Sequence, residues 1–176
     1  MSLASQIQGF PPVADSRARI LILGSMPGEP SLRAGQYYAN ERNAFWRIIG
    51  DLIGAGPALP YAQRLEKLQA AGVALWDVIF TCERYGSLDS DIVNSSVCVN
   101  DFPAFFAAHP SIRNVYFNGG TAEASFRRHV LPGLGGKGLH FARLPSTSPA
   151  HAARSYPEKL AAWSVITKQN PGIGSV

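Results

Sequence analysis

Cysteine is scarce in this chain. Its 176 residues hold two, Cys82 and Cys98, too few to ligate an iron–sulfur cluster alone, and their scarcity fits a reducing compartment. The four histidines, His109, His129, His140 and His151, show no metal-ligand spacing, so no metal and no other cofactor is expected. No run is long and apolar enough to span a membrane, and Met1-Ser2-Leu3-Ala4-Ser5 does not open a charged-then-apolar leader, so a cytoplasmic protein is expected. Repeats and low-complexity blocks are missing. Charge is sparse, at 16% of residues and a net +4, which permits a polyanionic partner without requiring one.

Apolar residues are plentiful, at 46%, so the chain is expected to fold around a core. Its length suits one domain over residues 1–176, with an ordered core over about 18–168 and a mobile Gly-rich tail over 170–176. Four short apolar runs, residues 19–23, 73–76, 114–117 and 139–144, predict strands. The first three are continuous rather than alternating, as in a parallel sheet covered on both faces. Helical patterns fall between them, over 44–53, 61–71 and 102–108. Asn100 or Asp101 is placed to cap the third of these, and Thr121 to cap a further helix carrying Ala122, Phe126 and Val130. Ser155-Tyr156-Pro157-Glu158 reads as a capping box for a last helix with Leu160 and Trp163. Strand then helix, repeated, predicts an α/β fold: three layers, α/β/α, around a mainly parallel four-stranded sheet.

Ligands in such sheets sit beyond the carboxyl ends of the strands. Those ends deliver Gly24-Ser25-Met26-Pro27-Gly28, the 77–91 segment, Asn118-Gly119-Gly120, and Pro145-Ser146-Thr147-Ser148-Pro149. Small-residue loops let backbone N–H groups approach an anion or a flat ring. Between them lies Tyr37-Tyr38-Ala39-Asn40-Glu41-Arg42-Asn43-Ala44-Phe45-Trp46, dense in aromatics and amides. Together these look like parts of a pocket for an extruded nucleobase. Each also has a plainer reading. Gly24–Gly28 also reads as an ordinary turn, Asn43 as a helix N-cap, Phe45 and Trp46 as core, and Asn118 as a turn residue. Arg33, Arg42 and Arg84 also read as surface charges. The loop at Gly24 lacks the G-x-G-x-x-G spacing of a dinucleotide site.

The motif Gly24-Ser25-Met26-Pro27-Gly28, followed by Tyr38 and Asn43-Ala44-Phe45-Trp46, resembles the strand–loop motif of the uracil-DNA glycosylase superfamily. Pro145-Ser146-Thr147-Ser148 resembles that family's second loop. Gln36-Tyr37-Tyr38, Leu75-Trp76-Asp77-Val78 and Gly86-Ser87-Leu88-Asp89 are most similar to the hypoxanthine-DNA glycosylase branch. Met26 is a departure, because the mismatch-specific branch places there an Asn that positions the attacking water. The resemblance moves that role to Asn43, with Asn40 as a weaker substitute.

The resemblance implies a monofunctional, cofactor-free DNA glycosylase acting as a monomer. It would hydrolyse the N-glycosidic bond of a deaminated base, hypoxanthine first, after extruding it. Asn43 is the expected catalytic amide. Gly24, Ser25, Met26, Pro27, Gly28, Tyr38 and Phe45 are the expected base pocket, with Tyr38 stacking on the ring. Ser146, Thr147, Ser148, Pro149 and Arg84 are the expected DNA contacts, with His151 a further candidate. Asp77, Glu83, Asp89 and Asp91 leave a two-carboxylate mechanism open. No lysine lies inside either motif, which argues against a Schiff-base lyase. A uracil- or mismatch-specific glycosylase and a non-catalytic nucleic-acid-binding domain remain the alternatives.

Overall fold

A computed structural model describes residues 3–135 and 138–168 of the chain. The tail expected to be mobile, 170–176, lies outside the described residues. The chain opens with β1 (Ser5–Gln8), β2 (Ile20–Gly24), α1 (Glu29–Ala34), α2 (Phe45–Ile53) and α3 (Tyr61–Ala70). It continues with β3 (Val73–Asp77), β4 (Ile79–Arg84), β5 (Cys98–Val99), α4 (Phe102–Ala108), β6 (Asn114–Asn118) and α5 (Gly120–His129). It closes with β7 (His140–Leu144), α6 (Tyr156–Trp163) and α7 (Val165–Lys168).

The four predicted strands form one parallel sheet, ordered β3-β2-β6-β7. Every residue of β2 and β3 is buried, which is why both read as continuous apolar runs. Alternate side chains enter opposite cores. Leu21, Leu23, Trp76, Val115 and Phe117 pack with Phe102, Phe105 and Phe126 of α4 and α5. Ile20, Ile22, Val73, Leu75 and Tyr116 pack with Phe45, Ile48, Ile49, Leu68 and Trp163 of α2, α3 and α6. Three layers follow, as expected. Deleting one of these side chains costs about 2–5 kcal/mol.

Helix boundaries follow their caps. Asp101 accepts from Ala104 N at 3.1 Å to start α4, and Ser155 with Glu158 forms the predicted capping box of α6. Thr121 does not cap α5. The N-cap is Gly119, at φ 92°, a left-handed conformation that favours glycine, and Thr121 is already inside the helix.

A second, antiparallel sheet, β1-β4-β5, was not expected. β1 is Ser-Gln-Ile-Gln, with one apolar side chain to signal it. Its Ile7 packs on a small separate cluster of Met26, Ile79, Cys82 and Ile92. Regular structure therefore begins well before residue 18. Helix α1 also lies inside what read as loop. It carries one large apolar residue, Leu32, and forms through Pro30 in its first turn and Gly35 after its last.

The carboxyl ends of the parallel strands are in register: Gly24 lies opposite Asp77, and Asn118 opposite Leu144. The chain leaves β2 to pair with β3 on one side and β6 on the other. The order thus reverses at β2, and the crevice opens beyond Gly24 and Asn118, where such sheets bind ligands.

Candidate active site

A cleft of about 620 Å³ occupies that crevice, within the usual 300–1,000 Å³ range of ligand pockets. Its walls include the Gly24–Gly28 loop, Tyr38, Asn43, Asp77, Asp89, Asn118, the start of α5, and residues 146–151.

The floor is set by Gly24. A Cβ there would collide with Asp77 Oδ1 and stand 2.9 Å from Tyr38 Oη. Absence of a side chain is what lets a carboxyl and a phenol share this corner. The Gly24 and Ser25 carbonyls accept from Val78 N (2.9 Å) and Ile79 N (3.1 Å), so the loop leaves the sheet in a fixed direction. Met26 is buried, its side chain in the small cluster beneath the antiparallel sheet.

Tyr38 is the one described non-glycine residue with positive φ, at 54°, a strain of order 1 kcal/mol. Its ring stacks on Phe45, with centroids 4.0 Å apart and planes at 24°. Its hydroxyl accepts from Asn118 Nδ2 at 3.1 Å. Burial, with the nearby Asp77 charge, drives its phenol well above the ordinary range, so it stays neutral. Phe45 is fully buried and does not line the cleft. It backs the pocket from within the core, behind Tyr38, and is not part of the lining. Tyr37 is held in the core, its hydroxyl donating to Pro11 O at 2.8 Å.

Asn43 borders the cleft just before α2. Its Oδ1 accepts from Phe45 N at 3.0 Å, and its own N–H donates to Asn40 O at 2.8 Å. The N-cap itself is Ala44, so the amide braces the turn one residue early. That bond orients the side chain and leaves its Nδ2 donor and one Oδ1 lone pair for a ligand. Asn40 also borders the cleft, with Oδ1 taken by Arg42 N at 3.0 Å.

Asn118, at the edge where the strand ends converge, is more than a turn residue: it ties three walls together. Its Nδ2 donates to Tyr38 Oη and, at 2.9 Å, to Thr147 Oγ1, and its Oδ1 accepts from Thr147 N at 2.9 Å. Thr147 is 1% exposed, and its carbonyl accepts from Ala44 N at 3.0 Å. The expectation that Thr147 contacts DNA is corrected: it anchors the loop. Ser146 and Ser148 remain half-buried and Pro149 exposed along the rim. Ser146 Oγ accepts from Ser148 N and Ser148 Oγ from Ala150 N, each at 3.2 Å. His151 is exposed on the same rim, and Lys159 holds it from behind by donating to its carbonyl at 2.8 Å. The N-terminus of α5, at Gly119, Gly120 and Thr121, opens onto this rim. Its unpaired N–H groups and dipole favour an anion there.

Arg84 is not a surface cation. It is 3% exposed, and its Nε donates to Gly86 O at 2.7 Å. The expected DNA contact is corrected: the guanidinium lies inside, beneath the segment that carries Asp89. Arg42 is the exposed arginine bordering the cleft.

Of the four carboxylates considered, two reach the cleft. Glu83 is exposed on β4, and Asp91 accepts from Leu88 N at 3.1 Å. Asp89 accepts from Ser25 Oγ at 2.5 Å. Loss of solvent raises its carboxyl, while the Ser25 hydroxyl, Arg84 and Thr121 hold it down. Asp77 is 4% exposed. Its Oδ2 is buried with no hydrogen-bond partner among the described residues. Burial pushes its carboxyl up to about 7, and the Asp89 charge adds to the shift. Among the described residues no cluster of His, Cys, Asp or Glu could hold a metal, and no helix is long and apolar enough to cross a membrane.

The chain is similar to known proteins. A protein from Methanosarcina acetivorans named hypoxanthine DNA glycosylase is 39% identical over 145 residues, 82% of this chain and 87% of the relative. One of the same name from Methanosarcina barkeri is 42% identical over 113 residues, 64% of this chain and 70% of the relative. A solution NMR structure of a Methanosarcina acetivorans protein, provisionally described as a uracil DNA glycosylase, superposes with a TM-score of 0.75 at 34% identity. That match covers 93% of this chain and 99% of the other. The family model of the uracil DNA glycosylase superfamily matches residues 11–167, and the chain belongs to that superfamily.

Proposed function

We propose that this chain is a monofunctional DNA glycosylase that removes hypoxanthine from deoxyinosine by hydrolysis, leaving an abasic site. One observation carries the reading: a single cleft at the strand ends joins a ring platform, Tyr38, to an oriented amide, Asn43. The relatives named hypoxanthine DNA glycosylase support the choice of base.

The extruded base stacks on Tyr38, which Phe45 stiffens from behind. Asn43 holds the attacking water through its free donor and lone pair. The Gly24–Gly28 loop closes over the base edge. Ser146, Ser148, Arg42, His151 and the start of α5 receive the flanking phosphates, which fix register and read no sequence. The nucleophile is water; no lysine is among the described residues lining the cleft. The protein acts as a monomer in the cytoplasm and needs no cofactor.

The test is base release from labelled duplexes carrying deoxyinosine, deoxyuridine, deoxyxanthosine or a T·G mismatch, with excess protein and alkaline cleavage of abasic sites. Cleavage at deoxyinosine is expected. Cleavage only at deoxyuridine would move the activity to the uracil reading that the NMR neighbour's description favours. Binding to duplex without cleavage at any base would make this a binding module.

A further inference from the structure

We propose that Asp77, in its neutral form, donates the proton that the departing purine takes up as its bond to the sugar breaks; this rests on the glycosylase reading. Asp77 ends β3 directly opposite Gly24. Its backbone is fixed on both sides: its carbonyl accepts from Asn100 Nδ2 at 2.8 Å, and Val78 N donates to Gly24 O at 2.9 Å. The side chain borders the cleft while remaining 4% exposed. Its Oδ2 is buried and unpartnered among the described residues. Buried polar atoms are nearly always paired, and each exception calls for an explanation; the others among the described residues, Arg84 Nη1 and His109 Nδ1, belong to residues outside the cleft lining, whereas Asp77 borders it.

The partner must be an acceptor. A neutral carboxyl offers one O–H, and a purine presents ring nitrogens and a carbonyl oxygen at its edges. Burial, with the Asp89 charge, keeps Asp77 protonated. Tyr37 and Tyr38 approach from the turn after α1, and both phenols titrate far above the ordinary range. Asp89, from the segment after β4, adds a negative charge that opposes a second one. The Arg84 charge acts on Asp89, which it lowers, and Arg84 Nε is taken by Gly86 O. Arg42 and His151 border the same cleft. Desolvation and the Asp89 charge together place the titration at about 7, where a general acid keeps both its proton and its driving force.

The step balances. The C1′–N9 bond breaks, and its electron pair passes into the purine. The Asp77 proton moves to the purine ring nitrogen that faces it, and hypoxanthine leaves neutral. Water, held by Asn43, forms the new bond to C1′ and releases its surplus proton to solvent. Solvent then reprotonates Asp77.

The test is single-turnover base release by the full chain and by Asp77→Asn, from pH 5 to 9. Two duplex substrates are used, one with deoxyinosine and one with 7-methyl-deoxyinosine. At pH 5, where its N1–H is still in place, the methylated purine is already cationic and leaves neutral without an added proton; its spontaneous loss is subtracted. On deoxyinosine at pH 6 the variant is expected to be about 10²–10³-fold slower, as for a lost general acid. The unaltered chain should slow about tenfold per pH unit above its limb near 7, and the variant should lose that limb. On the methylated base at pH 5 the two proteins should agree within about threefold. Equal slowing on both substrates means a structural role and overturns the inference, as does a variant that keeps the limb or full activity. If the unaltered chain releases no base from any duplex, the glycosylase reading itself fails; release of uracil alone overturns the purine assignment.

Discussion

Asp77 also makes a prediction about stability that needs no substrate. Its carboxyl titrates at about 7 in the folded chain, against an ordinary value of 3.8. Between those two values the folded state holds a proton that the unfolded state has lost. Stability therefore falls as pH rises through this window, and the loss is complete above about 7. At about 1.4 kcal/mol per tenfold change in proton affinity, the ionised carboxyl costs the fold on the order of 4 kcal/mol. Roughly 3 kcal/mol of that falls between pH 4.5 and 8.5. Asp77→Asn removes the titration and keeps the shape. The quantity to measure is the stability of Asp77→Asn minus that of the unaltered chain, by urea unfolding followed by tryptophan fluorescence at both pH values. Any fixed gain or loss from the new amide cancels when the two differences are compared. The variant should gain roughly 3 kcal/mol on its parent from pH 4.5 to pH 8.5. Differences that agree within about 0.5 kcal/mol would show that the carboxyl is not desolvated in the folded chain. They would remove the physical basis for a neutral acid in the cleft.

Asn43→Ala should retain duplex binding and lose base release by about 10²–10³-fold, the scale of one preorganised polar group; single-turnover rates beside binding isotherms separate the two. Thr147→Val keeps the anchor's shape but removes the hydroxyl that accepts from Asn118 Nδ2. It should cost about 1–2 kcal/mol in urea unfolding and slow base release further than that loss explains, because Asn118 also holds Tyr38. Gly24→Ala drives a methyl against Asp77 and Tyr38 and should cost about 1–3 kcal/mol in the same unfolding assay. Gly28→Ala, whose nearest contact would be Ser87 Oγ at 3.3 Å, should cost less, and equal costs would refute the crowded corner.

The parallel sheet was legible because burial on both faces writes itself as uninterrupted apolar residues, as in Ile20-Leu21-Ile22-Leu23. The antiparallel sheet was not, because β1 is mostly polar and β4 ends on a buried arginine. Within the site, residue types pointed to the right loops but not to the depth of each side chain. Arg84 reads as a surface charge, and Thr147 as a solvated turn residue, until the fold buries them. Phe45 belongs to the right motif, yet its face is spent on Tyr38. Asn118 carried one available signal: an amide at the end of a strand, facing the second motif's loop across the sheet. Asp77 was one of four carboxylates on that edge. Only the loss of solvent and the Gly24 contact separate it from Glu83 and Asp91.

Two features of the cleft work against stability, and they share one corner. Tyr38 adopts a positive φ that costs about 1 kcal/mol or more, and Asp77 buries a carboxyl oxygen without a partner. Neither the positive φ nor the buried charge-bearing group is a requirement of the fold. A glycine in place of Tyr38 would accept the backbone turn without strain, and an apolar residue in place of Asp77 would extend the inward face that Val73 and Leu75 already share. Yet both are held firmly, Tyr38 by Phe45 and Asn118, and Asp77 by its strand, Asn100 and the absent side chain of Gly24. A fold that braces a strained turn and an unpartnered carboxyl so firmly is preorganising them for something absent from its own interior. The pair left facing the cleft, a flat ring and an unpartnered carboxyl, is what the proposed reaction would use on the face and on the edge of an extruded purine.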